Sequence, residues 1–334
     1  VSDFQDNRLT KANAEKLVTI IGGSGFVGRN IVRSLAKHGY RIRVACRRPD
    51  LAGHVLPLGT PGQIALVQAN VRFPQSVEAA CDGAYAVINA TGTDHSSGNQ
   101  TFDGVVAFGA ECVARAARQA KAQIMIMISG IGANAGAGSA AARAKAQGEA
   151  AAAKAFPGAI ILRPSVIFGP DDRFFNRMAA MARFSPVIPL LGGGASRYQP
   201  VFAGDVAEAV ATLVDAGLAT GKIYELGGPE IASMKDLTQF ALETTFRKRV
   251  LLPMPWPAAK LMGAVLGFMP GKPLSLDQVE LLKPDNVVSD AAQREGRTLE
   301  GLGITPRSFR AIAPDYLFRF RKEGQFAVPS GTPQ

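Results

Sequence analysis

Cysteine is nearly absent: Cys46, Cys81 and Cys112 are the three in a chain of 334 residues. An odd, scattered set gives neither a disulfide framework nor metal-ligand spacing, and a reducing compartment is the simplest expectation. Histidine is as scarce, and none of His38, His54 and His95 has a second ligand at metal spacing. Each reads as an ordinary surface or core histidine. Asp94, His95 and Ser96 stand side by side, but a catalytic triad normally converges from distant segments. No apolar run reaches the roughly 18 residues that a spanning helix needs, and the window beginning at Leu261, LMGAVLGFMP, is far too short. Residues 1–16 lack a charged lead followed by an apolar stretch, so no secretory signal is visible and the expectation is a cytosolic or matrix-facing chain.

What is present describes a globular protein. Hydrophobic residues make up 47% of the chain and charged ones 19%, which argues against disorder, and the length suggests about two domains. The formal net charge of +10 favours acidic partners. No nucleic-acid-binding motif accompanies it, so no nucleic-acid partner is expected.

Residues 17–46 read as strand, glycine turn, amphipathic helix and strand. The alternation continues through IALVQANV, SVEAACDG, AYAVINATG, a long helix over 102–121, QIMIMISG, a helix over about 139–155, and AIILRPSVIFG. Strands and helices at this interval imply right-handed crossovers and a parallel sheet covered on both faces. The expected fold is therefore α/β: a Rossmann-like, doubly wound parallel sheet with a smaller, discontinuous C-terminal α/β domain. The expected boundaries are an extension over 1–16, a nucleotide-binding domain over 17–168, and a smaller domain and tail over 169–334 with segments returning to the first sheet.

Gly22, Gly25 and Gly28 form a GxxGxxG turn between a strand and a helix. The first glycine permits the tight turn, the second lets backbone approach a pyrophosphate, and the third lets helix and strand pack closely. The start of the helix, with Phe26 and Val27, offers unpaired N–H groups and the positive end of its dipole. Sites that prefer NAD carry an acid at the end of the second strand; here Arg47 and Arg48 stand there, which would complement a 2′-phosphate and points to NADP(H). Asp50, slightly beyond, could compete for the ribose.

These residues, with NATG at 89–92 (including Ala90 and Thr91), Ser129, Lys145 and RPSVIFGP at 163–170 (including Pro164), resemble the extended and atypical short-chain dehydrogenase/reductase superfamily. The resemblance implies a tyrosine four residues before Lys145 as proton donor, the lysine on the nicotinamide ribose, and a serine orienting the substrate. The chain departs at that point: position 141 is alanine, and none of the five tyrosines precedes a lysine at that spacing. Ser139 lies two positions earlier, where a helix turn places it elsewhere. Asn70, followed by Val71, stands where the superfamily usually has an adenine-contacting aspartate.

One branch fits better. The stretches VTIIGGSGFVGRNIVRSLAKHGYRIRVACRRPD, GQIALVQANVRFPQSVEAACDGAYAVINATG, AIILRPSVIFGPDDRFFNRMA and YQPVFAGDVAEAV are similar to the NADPH-binding accessory subunits of respiratory complex I (NADH:ubiquinone oxidoreductase). The resemblance implies a subunit that holds NADPH tightly without turning it over, with the other complex I subunits as partners. It also implies a peripheral place on the inner membrane, on the cytoplasmic or matrix face, where the two arms meet near the quinone site. A free NADP-dependent reductase or epimerase with an unrecognised acid, and a nucleotide-sensing regulator, remain alternatives.

The C-terminal half adds a softer signal. Residues 255–272 can form a helix with Leu261, Val265 and Phe268 on one side and Met262, Leu266 and Met269 close beside them, flanked by Trp256, Lys260 and Lys272. That pattern suits peripheral contact with membrane lipid, and equally a helix packed into its own domain. FRKRV at 246–250 and YLFRFRKEGQF at 316–326 interleave basic and aromatic residues, as interface anchors or as a solvated strand and tail.

Overall fold

The computed structural model describes residues 12–93, 96, 98–267, 274–322 and 324. They form two compact units: residues up to Pro164 with Ala203–Leu226 and Ser289–Thr305, and Ser165–Phe202 with Gly227–Val288 and the residues from Pro306 onward.

The first unit holds the parallel sheet that the alternation requires. β1 (Leu17–Ile21), β2 (Arg41–Cys46), β3 (Ile64–Gln68), β4 (Ala86–Asn89), β5 (Ile124–Ile128) and β6 (Ile160–Pro164) join the strand Ile223–Leu226. Their order is β3, β2, β1, β4, β5, β6 and then Ile223–Leu226, with every neighbouring pair parallel. Ile124, Met125, Ile126 and Met127 of β5 are all buried, because helices cover both faces and no residue of a central strand meets water. The helix Phe26–Lys37 seals β1 to β2 through Ile31, Val32 and Leu35, all fully buried; each such side chain contributes roughly 1.5–3 kcal/mol. The order reverses at β1, whose neighbours are β2 on one side and β4 on the other. A crevice therefore opens at the carboxyl ends of these strands.

The helix expected over 102–121 is divided: residues Asp103–Ala107 wind as a π-helical turn before the α-helix Phe108–Gln119. The widened turn lies where a neighbouring helix, Ala140–Ala155, touches it. A Cβ on Gly148 of that helix would stand 2.8 Å from the Val106 carbonyl oxygen, so glycine at 148 lets the two elements approach closely.

The helices Phe26–Lys37 and Ala203–Ala216 are also joined by a charged cluster. His38 Nδ1 lies 2.7 Å from Asp215 Oδ2 and its Nε2 lies 3.4 Å from Glu208 Oε1. Tyr40 donates to Asp215 Oδ1 at 2.6 Å. The hydrogen bond to Asp215 raises the His38 pKa against the opposing effect of burial.

The second unit is smaller and its core is aromatic. Phe168, Phe175, Phe240 and Phe309 pack ring to ring at 5.0–6.0 Å. Asp172 is buried beside them and accepts from the backbone N–H groups of Gly169, Phe174 and Asn176 and from Tyr316 Oη at 2.6 Å. Burial pushes its carboxyl above the usual range despite those donors.

The helix expected over 255–272 spans Trp256–Leu266; Phe268, Met269 and Lys272 lie outside the described residues. Its buried positions are Ala259 and Gly263, the latter against Ser275 and Val279. Leu261 and Val265 are exposed, while Met262 and Leu266 are half-buried. The flanking anchors are engaged within the unit: Trp256 covers the backbone at Gly192, and Lys260 pairs with Glu280 at 3.0 Å. Among the described residues no helix is long and apolar enough to cross a membrane.

Candidate functional site

A cavity of ≈ 210 Å³ opens in the first unit at the crevice beside β1. Its floor is the glycine turn, and the three glycines are needed for different reasons. Gly22 has φ +80° and a Cβ there would stand 2.9 Å from the Ala90 carbonyl oxygen. Gly28 is excluded from carrying a side chain by the loop itself, since its Cβ would meet Gly22 O at 2.3 Å and Gly23 Cα at 2.6 Å. Gly25 is unlike both: its φ of −75° and ψ of 177° suit any residue, and its Cβ would meet nothing within 4 Å but Gly22 O at 3.3 Å. Gly25 therefore meets less of the protein's own backbone than Gly22 or Gly28, and it lines the cavity. No side chain caps the helix that begins at Phe26, which leaves its first turn to an external acceptor.

Of the residues singled out from the sequence, Gly22, Gly25, Arg47, Asn70, Val71, Ala90 and Thr91 line this cavity. Phe26, Val27 and Gly28 do not line it and serve the site as the first turn of the helix. Arg48 is turned away from it: its Nε and Nη2 hold Asp50 at 3.1 and 2.8 Å. The guanidinium beside Asp50 lowers that carboxyl's pKa. The acid that could have competed for a ribose is thus held by its neighbour, while Arg47, which lines the cavity, has no ion pair among the described residues. Asn70 Oδ1 accepts from the Arg72 N–H at 3.1 Å, so its amide can still donate. Asn89 fixes the next loop by accepting from Thr91 N and Oγ1 at 3.1 and 2.6 Å.

Ser129, Lys145 and Pro164 form a second group at the ends of β5 and β6. Ser129 N–H donates to Leu162 O and Ile131 N–H to Pro164 O, at 2.7 and 3.0 Å. Lys145 Nζ lies where a Cβ on Gly130 would be 2.6 Å away. Burial lowers its pKa, opposed by Glu149. The side chain is half-buried, and among the described residues its ammonium makes no hydrogen bond, so it can donate to ligand hydroxyls. Ser129 Oγ donates to Glu149 Oε1 at 2.5 Å, and Glu149 is held by Arg163 through Nε at 3.0 Å and Nη2 at 2.5 Å. The Arg163 pKa is raised chiefly by that hydrogen bond. Because a hydroxyl has one proton, Ser129 faces a ligand as an acceptor. Ala141 sits one turn before Lys145 on the same helix and brings no proton. Ser139 is the N-cap, its Oγ accepting from Ala142 N–H at 3.3 Å.

Arg72, Gln100 and Val105 also line the cavity, and Glu149 anchors the second group; sequence reasoning named none of them. The signal for Glu149 was its place as the one acid in an alanine-rich helix, four residues after Lys145. His54, read as ordinary, is exposed and lies 3.2 Å from Ser24 O of the glycine turn. Asp94 and His95 of the short acidic and histidine cluster lie outside the described residues. Among the described residues no cluster of His, Cys, Asp or Glu could hold a metal.

A protein-family model described as NAD(P)H-binding matches residues 22–161. The chain is 33% identical over 320 residues to the mitochondrial NADH dehydrogenase (ubiquinone) 1 alpha subcomplex subunit 9 of Arabidopsis thaliana, a match covering 92% of this chain and 79% of that protein. It is 34% identical over 179 residues to the ceramide reductase of Caulobacter vibrioides, which covers 54% of this chain and 55% of that protein. Among solved structures, an NADPH-dependent quinone oxidoreductase from Escherichia coli complexed with NADPH matches with a TM-score of 0.69 at 18% identity, covering 90% of this chain and 99% of that one. That last likeness is one of fold.

Proposed function

The chain belongs to the family of NADH dehydrogenase (ubiquinone) 1 alpha subcomplex subunit 9, and from that membership we propose that it is a non-catalytic, NADPH-holding accessory subunit of respiratory complex I. Its role is assembly and stability, peripheral on the inner membrane at the junction of the two arms near the quinone site. The observation that carries the proposal is a complete phosphate cradle combined with alanine at 141.

Each residue has a stated part. The Gly22–Gly28 turn and the first turn of its helix, with Phe26 and Val27, take the pyrophosphate. Arg47 takes the 2′-phosphate while Arg48 neutralises Asp50. Asn70 donates toward adenine, with Val71 beneath it and Ala90 and Thr91 as the opposite wall. Lys145 donates to the nicotinamide ribose, Ser129 accepts, and Pro164 closes that end. The nucleotide, a hydride donor by its chemistry, supplies binding energy here. A ligand that binds the folded state alone at 100 times its Kd adds about 2.7 kcal/mol to stability. Lipid contact through 255–272 belongs to the same proposal, carried by the exposed Leu261 and Val265.

The similarity to a ceramide reductase over about half the chain favours a second reading, a free NADP-dependent reductase whose acid comes from elsewhere than position 141. Mass spectrometry and fluorescence of nucleotide released by denaturing the purified protein, with carbonyl compounds added to the intact sample, separate the two. Retained NADPH that carbonyls do not oxidise is the expected result. An empty site overturns the structural-cofactor reading, and NADPH consumed on mixing favours the reductase.

A further inference from the structure

The second unit carries a surface that neither nucleotide binding nor residues 255–272 uses. The two basic-aromatic stretches of the sequence meet there. Arg247 donates through Nε and Nη2 to the Phe320 carbonyl oxygen at 3.0 and 2.9 Å. Arg321 donates to Thr244 O at 2.9 Å, with its guanidinium 4.2 Å from the centre of the Phe246 ring. Arg249 donates to Ala182 O at 2.8 Å, which joins the end of the helix Phe175–Phe184 to the same place. There the Arg183 guanidinium lies 5.7 Å from the Phe184 ring.

Charge on this face is unbalanced. Among the described residues no carboxylate forms an ion pair with Arg183, Arg247, Lys248, Arg249 or Arg321. The hydrogen bonds of the Arg247, Arg249 and Arg321 side chains go to backbone carbonyls, and the Arg247 pKa is lowered, first by burial and then by Arg249 and Arg183. Between the cations stand large apolar side chains in water: Phe184 is 83% exposed, Val250 63% and Leu252 49%. The strands Val187–Leu191 and Val250–Met254 pair in parallel with Val250 opposite Val187, so this apolar edge is continuous with the end of the helix.

Backbone geometry gives a second, independent observation. Phe246 follows the helix Met234–Thr244 with φ +55°, a left-handed position where glycine is favoured and a bulky residue is an outlier. The turn is closed by Phe246 N–H to Glu243 O and Arg247 N–H to Leu242 O at 3.1 and 2.9 Å. Glycine would close it more easily, yet an aromatic ring stands there, immediately before three consecutive cations.

We propose that this face docks on the surface of an anionic phospholipid bilayer. The guanidinium and ammonium groups take headgroup phosphates, and Phe184, Val250 and Leu252 enter the boundary of the acyl region. A protein partner would need a fitted pocket for each protruding side chain, whereas a bilayer interface accepts them wherever they fall. The inference rests on neither the nucleotide nor the helix Trp256–Leu266.

The test is co-sedimentation of the full chain with vesicles of phosphatidylcholine, with and without phosphatidylglycerol. Binding is expected to the mixed vesicles, to be weak on phosphatidylcholine alone, and to fall at high salt. The Arg183 and Lys248 side chains are exposed and among the described residues make no hydrogen bond, so R183E/K248E folds and loses at least tenfold in affinity, at about fivefold for each cation removed. Phe184→Ser weakens binding at every salt concentration. Phe246→Gly relieves the backbone and therefore melts no lower than wild type while still binding vesicles less well. Wild type that ignores anionic vesicles, variants that bind as wild type does, or polyglutamate bound in preference to the mixed vesicles overturns the proposal. A wild type that binds vesicles but holds no nucleotide overturns the nucleotide reading and leaves this one standing.

Discussion

Replacing Gly25 and Gly28 separately by alanine divides what the fold needs from what a ligand needs. At 28 the new methyl would stand 2.3 and 2.6 Å from backbone atoms of Gly22 and Gly23, and these cannot move without opening the turn. Overpacking of this kind costs roughly 1–3 kcal/mol, and at about 2–4 °C for each kcal/mol in a domain of this size the melting temperature should fall by several degrees. At 25 the backbone is extended and the methyl has one neighbour at 3.3 Å. Alanine there restricts the unfolded chain and leaves the nucleotide-free protein unchanged or more stable by about 0.4–1 kcal/mol. The same methyl projects where phosphate oxygens would meet the helix N-terminus. Displacing one charge-assisted hydrogen bond costs about 2 kcal/mol, or roughly thirtyfold in affinity. The assays are thermal unfolding of nucleotide-free protein and fluorescence titration with NADPH. If Gly25→Ala destabilises the nucleotide-free protein as Gly28→Ala does, or binds NADPH as wild type does, the assignment of Gly25 to the ligand is refuted.

Two other perturbations test the surroundings. Arg47→Ala should weaken NADPH at least tenfold and NADH less than threefold, while Arg48→Ala acts by releasing Asp50, so that R48A/D50A recovers NADPH affinity in the same titration. His38 is held above its unfolded pKa of 6.5 by the hydrogen bond to Asp215, so its stabilisation is fully present below pH 6.5 and is lost as pH rises through the folded value. Thermal unfolding followed from about pH 5.5 to about pH 8.5 should show this fall in wild type and not in His38→Gln; parallel profiles would remove His38 as its source.

The parts that local chemistry dictates were legible in the sequence. The glycine turn, the β-branched and methionine-rich strands and the helix stop at Gly39 are written in neighbouring residues, and so the parallel sheet and the crevice beside β1 could be read from them. The direction of Arg48 could not, because it depends on Asp50 two residues on competing with a ligand for one guanidinium. Glu149 and Arg163 meet across 14 residues, and Arg72 comes to the cavity only once β3 and the loop after β4 are side by side. The close approach of another helix to the turn at 103–107 depends likewise on Gly148. Trp256 and Lys260 have the composition of interfacial anchors, but whether such residues face outward is decided by Gly192 and Glu280, which lie far from them in sequence.

The first unit is assembled from three separate lengths of chain, and this sets the order of events at the ribosome. β6 emerges with one edge open until the strand Ile223–Leu226 follows, some sixty residues later, or on the order of several seconds of synthesis. That strand is in turn bonded through Glu225 N–H to Arg297 O and through Glu225 to the Ser289 N–H. A nascent chain stopped short of residue 226 therefore presents the unpaired backbone of Ile160–Pro164 to other chains. The residues that line the cavity all lie between 21 and 105, so they are made long before the segments at 203–226 and 289–305 that complete the unit.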